Sequence, residues 1–86
     1  MKAYLARVDI TLKPTVNDPQ GNTIRDALHS LGFGAVGSVR AGKYMEIRVE
    51  AASKKKAEDN VTEMCKKLLA NPVIEDFRFE IDEVEG

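Results

Sequence analysis

Tryptophan is absent from this chain of 86 residues, and cysteine and histidine occur once each, as Cys65 and His29. One thiol cannot close an internal disulfide, and one thiol with one imidazole cannot supply the four ligands of a structural zinc site. A reducing, cytoplasmic setting is therefore the expectation. An excess of one charge sign is lacking too: 13 basic residues stand against 14 acidic ones, for a formal net charge of -1. That balance provides no long-range attraction to nucleic acid or to anionic lipid, so neither is an expected partner, and whatever binds must be recognised locally. Long apolar runs are missing as well. Met1 to Lys13 alternates charged with apolar residues, unlike a signal peptide or a membrane span, so a soluble, unexported protein is expected.

What is present is globular: 43% hydrophobic and 31% charged residues. The length suits one domain over residues 1–86, with no low-complexity tract at which to divide it. A chain this short buries only about 60% of the surface that its unfolded form exposes, so association with further copies of itself would add core.

Tyr4, Ala6, Val8, Ile10 and Leu12 recur at every second position, the period of a half-buried strand that Pro14 ends. Asp18-Pro19 suits a helix start, the carboxylate accepting orphan amides and proline needing none. The helix is expected to run to about Leu31, with Ile24, Ala27, Leu28 and Leu31 on one buried face. Gly32 suits a helix stop, and Gly34 and Gly37 bracket a short glycine-rich strand ending near Arg40. Ala41-Gly42 turns into a strand through Tyr44 to Glu50, whose Met45, Ile47 and Val49 share a face. Ser53 caps a second helix, marked by the stripe Ala57, Val61, Met64, Cys65, Leu68 and Leu69. Asn71-Pro72 stops it, and Phe77, Phe79 and Ile81 face inward on a last strand. The predicted fold is α+β, a ferredoxin-like βαββαβ arrangement: one mainly antiparallel four-stranded sheet with two helices on one face. The uncovered face, carrying Leu5, Tyr44 and Val84 among polar residues, is where copies are expected to meet through the sheet.

Gly32 to Gly37 spells GxGxxG, but these glycines follow a helix and enter a strand, the reverse of a dinucleotide fingerprint, so helix-stop duty is preferred. Leu31 to Val39 has a weak likeness to an RNA-recognition motif, yet Ala35 and Ser38 stand where stacking rings are needed. His29 has only Arg25 and Asp26 near it on the helix, and Cys65 lies on an apolar stripe; the readings are a surface imidazole and a core thiol. Lys54-Lys55-Lys56 reads as a solvated face before it reads as a dock for an acidic partner. Glu75 to Gly86 holds six acids against Arg78 alone, which discourages edge aggregation. Arg40-Ala41-Gly42-Lys43-Tyr44 places two cations and an aromatic at one exposed hairpin tip, able to meet a phosphate or a protein.

Three segments, in this order and spacing, resemble the PurS family, the small subunits of phosphoribosylformylglycinamidine synthase: Asp18-Pro19-Gln20-Gly21, Arg40 to Glu46, and Leu69 to Phe77. Leu28 to Phe33 and Met64 to Leu69 extend the resemblance almost from end to end. It implies a homo-oligomer, dimer or tetramer, that joins a large ATP-using synthetase subunit to a glutaminase subunit in purine biosynthesis and assists ammonia transfer. It further implies no catalytic residue, metal or cofactor in this chain, with ATP and Mg held by the synthetase partner. By position within the matched motifs, the partner-contact candidates are Asp18, Pro19, Gln20 and Gly21, with Arg40, Gly42, Lys43 and Tyr44. The fold alone leaves one alternative, an ACT-like regulatory module that binds a small molecule.

Overall fold

Alternation in the first segment produces the central strand. The structure, a computed structural model, describes residues 1–85, and in it β1 (Lys2–Leu12) buries Tyr4, Ala6, Val8 and Ile10. β1 pairs antiparallel with β2 (Gly42–Ala51) along one side and with β3 (Glu75–Val84) along the other, in the sheet order β2-β1-β3. The register sets Ala6 between Ile47 and Ile81, and Val8 between Met45 and Phe79. One face of the sheet is therefore apolar across all three strands.

Helix α2 (Lys54–Met64) covers that face. The Ser53 hydroxyl accepts from the Lys56 amide at 3.2 Å and fixes its start. Ala57, Val61 and Cys65, one turn apart, are wholly buried against β1 and Ile81. Burying a side chain such as Val61 stabilises the fold by roughly 1.5–3 kcal/mol. Helix α1 (Pro19–Ser30) connects β1 to β2 at the other end of the sheet.

The α+β class, the antiparallel sheet and the two helices agree with the sequence reading, and three expectations do not survive. The sheet has three strands, not four: between Leu31 and Ala41 the chain is turn and coil, with Gly32 at φ 99°. At the end of that segment the Val39 carbonyl packs close to Gly21, and the Ala41 amide is taken by Asp18 and so is not free for a ladder. Second, α1 does not bury its apolar face; Gly21 is its one buried residue, while Ile24 is 39% and Leu31 73% exposed. Third, Leu68 leaves the α2 stripe. A π turn over Cys65–Leu69, closed by the Ala70 amide on the Cys65 carbonyl at 3.0 Å, adds a residue to the last turn. It leaves Leu68 83% exposed and turns Ala70 into the core instead.

The helix-free face is a polar layer. Arg7 sits between Asp82, at 2.6 Å, and Glu80, at 3.4 Å, while Arg78 reaches Asp9 at 3.4 Å. No helix among the described residues is long and apolar enough to cross a membrane.

Candidate assembly surface

Asp18 is the hinge of the corner where β1, α1 and β2 meet. Its carboxylate accepts the Gly21 amide at 2.9 Å through Oδ1, as the cap of α1, and the Ala41 amide at 2.7 Å through Oδ2. Only 3% of the residue is exposed. Those two amides, Gly21 first and Ala41 second, hold the carboxyl below the usual carboxylate range against the opposing effect of burial.

Gly21 follows from the same contact. A Cβ there would stand 2.1 Å from the Val39 carbonyl oxygen, so only glycine lets the helix start close on the loop. Gly42 is required for a similar reason, since a Cβ would meet the Ile10 carbonyl oxygen at 2.6 Å where β2 begins beside β1. Arg40 lies across this corner, its Nη2 donating to the Lys13 carbonyl at 2.9 Å and the Val16 carbonyl at 2.8 Å. Asp18, Gly21, Arg40 and Gly42 thus hold the chain in place.

The remaining candidates face outward. Pro19 and Gln20 are exposed on the first turn of α1. Lys43 is exposed, with its Nζ 3.8 Å from Glu75. Tyr44 is 56% exposed, and its hydroxyl donates to Glu46 at 2.9 Å, which holds the phenolic proton more tightly than usual. The fold therefore brings Asp18, Gln20, Gly42 and Lys43 together around a shallow cavity of about 190 Å³ that Glu75 also lines, while Tyr44, paired with Asp9, projects from the opposite, helix-free face of the sheet. Glu75 was not among the sequence candidates, although it lies in the third matched segment. It accepts from the Asn71 amide at 2.7 Å while facing Lys43, and so ties the end of the α2–β3 loop to the same corner.

The other sequence features stand elsewhere. The His29 Nε2 lies 2.7 Å from the Val36 carbonyl oxygen, linking α1 to the loop after it. Cys65 is fully buried, and burial pushes its thiol pKa up, away from the reactive thiolate. Lys55 pairs with Asp59 at 2.8 Å on the outside of α2. Among the described residues no group of His, Cys, Asp and Glu is placed to hold a metal ion.

Residues 5–83 match the family described as PurS, phosphoribosylformylglycinamidine (FGAM) synthase. The chain is 49% identical to phosphoribosylformylglycinamidine synthase subunit PurS of Bacillus subtilis, over 94% of this chain and 95% of that one. Its structure resembles the crystal structure of Methanocaldococcus jannaschii PurS, one of the subunits of formylglycinamide ribonucleotide amidotransferase in the purine biosynthetic pathway, with a TM-score of 0.84 and 44% identity, covering 95% of this chain and 99% of that one. It also resembles a chain in the structure of PurLQS from Thermotoga maritima, with a TM-score of 0.84 and 34% identity, over 98% of this chain and 100% of that one.

Proposed function

This chain belongs to the PurS family of phosphoribosylformylglycinamidine synthase subunits, and from that premise we propose that it works as an adaptor, holding the ATP-using synthetase subunit and the glutaminase subunit together. The reading rests chiefly on its likeness, over nearly its whole length, to a chain found within PurLQS. The chain is a non-catalytic part of a ligase, and ATP with its Mg belongs to the synthetase partner. An adaptor contributes by geometry: it raises the effective concentration of its partners and keeps their sites in register, so that released ammonia meets its acceptor before it protonates in water. The ACT-like alternative gains no support, because the similar proteins are PurS subunits.

The contact surface in this proposal is the exposed part of the corner, Pro19, Gln20 and Lys43, with Tyr44 beside it on the other face of β2, presented by a frame made of Asp18, Gly21, Arg40 and Gly42. The proposal also includes self-association. The radius of gyration is 16.7 Å, with extents of 51 × 28 × 14 Å, against about 12 Å for a compact domain of this length. Apolar side chains of α1 lie open, and Met45, Ile47 and Val49 along β2 are only half-buried. A second copy would supply the missing cover.

Reconstitution tests the function. With synthetase and glutaminase present, adding this chain should restore glutamine-driven synthesis and leave ammonia-driven synthesis unchanged. Glutamine-driven synthesis at full rate without the chain would refute the adaptor.

A further inference from the structure

Glu75 stands apart from the other paired acids. Its side chain is 14% exposed, whereas the acids of every other ion pair among the described residues are 40–84% exposed. Its two carboxylate oxygens also fare differently. Oε1 accepts the Asn71 amide at 2.7 Å. Oε2 receives no hydrogen bond from the described residues; its nearest cation is the Lys43 ammonium at 3.8 Å, beyond hydrogen-bond reach. No side-chain oxygen or nitrogen among those residues is both buried and without a partner, so Oε2 is open rather than sealed in. Glu75 borders two cavities, and Lys43 lines only the one at the Asp18 corner, so that is the cavity Oε2 faces.

An ionised oxygen that has given up most of its water and gained no donor is left with an unfilled demand. Lys43 meets it poorly, being 62% exposed and held mainly by water at the mouth of the cavity. Arg40 is committed elsewhere, to the Lys13 and Val16 carbonyls.

The size of the cavity decides what fits. Its volume of about 190 Å³ is less than the roughly 300–1,000 Å³ of pockets that take small molecules, and suits a single side chain. Ile10 and Leu12 supply apolar wall for a methylene stem, and Gln20 adds an amide oxygen at the rim. Asp18 contributes charge, but both of its oxygens are taken by backbone amides, which leaves Glu75 as the free acceptor. A guanidinium matches this set: its planar fork carries several donors to neighbouring oxygens, and it gives up water more readily than an ammonium does.

We propose that the corner cavity is a socket for one arginine side chain of a partner subunit, with Glu75 as its anchor and Lys43 as a lid whose ammonium is displaced on docking. This rests on the adaptor reading, and it adds the residue that holds the partner and the chemistry of what it holds.

The test reconstitutes the complex with the full chain and reads the concentration of chain that half-saturates glutamine-driven synthesis. Glu75→Gln keeps an acceptor for the Asn71 amide and removes the charge. It should raise that concentration about tenfold and leave the plateau unchanged. Lys43→Met keeps the stem and removes the competing ammonium, and should lower it about twofold. Asp76→Asn, beside Glu75 but paired with Lys13 outside the socket, should leave it as in the wild type. Circular dichroism checks that each variant folds. An unchanged value in Glu75→Gln, an equal rise in Asp76→Asn, or a rise in Lys43→Met overturns the socket and leaves the adaptor standing. A Glu75→Gln chain that sediments differently by itself assigns the socket to a second copy and overturns the partner's arginine. A wild type that gives no stimulation overturns the adaptor reading, and the socket with it.

Discussion

Asp18 shows how one side chain can serve the fold and the surface together. Its charge satisfies the first turn of α1 and the amide that leads into β2, so its ionised form belongs to the folded state. Since the folded pKa lies below the unfolded one, near 3.9, its stabilisation is fully present above that value and is lost as the pH falls through the folded value. Asp82, lowered first by its hydrogen bond from Arg7 and then by that residue's charge, acts in the same direction. Asp18→Asn keeps the size, removes the charge and replaces one of the two accepting oxygens by an NH2 group. Thermal melting should show the variant less stable at pH 7, with the gap to wild type closing as the pH approaches 3. An equal gap at both values would mean that the carboxylate's charge contributes nothing.

Among the elements, α2 carries the core and its end corrects the simple periodic reading. An i, i+3, i+4 stripe places Leu68 beside Val61 and Cys65, but the π turn shifts the last residues round and faces Leu68 to solvent. Val61→Ala should cost about 2 kcal/mol of unfolding free energy, since a wholly buried side chain is cut back beneath a covered sheet. Leu68→Ala in the same dilute protein should change it by no more than about 0.5 kcal/mol. Urea unfolding measures both. A large loss at Leu68 would restore it to the core of the single chain.

For the molecule as a whole, the balance between covered and open apolar surface decides the outcome. α2 protects the middle of the sheet, while apolar side chains of α1 and of β2 stay open or half-buried. If further copies supply that cover, stability includes an association term, and the melting temperature should rise with protein concentration from micromolar to millimolar. A melting temperature independent of concentration over that range would show that one chain is sufficient.

The sequence by itself determined the local structure and most of the family likeness. Alternation defined β1 and β3, Asp18-Pro19 and Ser53 announced the helix starts, Asn71-Pro72 stopped α2, and the motifs around Gly21 and Gly42 carried the resemblance to PurS. These are short-range matters, set by backbone geometry and by which faces are apolar. Only the tertiary structure decided that Leu31 to Ala41 is not a strand, that α1 stands with its apolar face open, and that Glu75 joins Lys43 at the corner built around Asp18. Each depends on how groups far apart in the chain come together or fail to. The Ala41 amide could have joined a ladder, and it is the nearness of a charged carboxylate, a stronger acceptor than a strand carbonyl, that takes it.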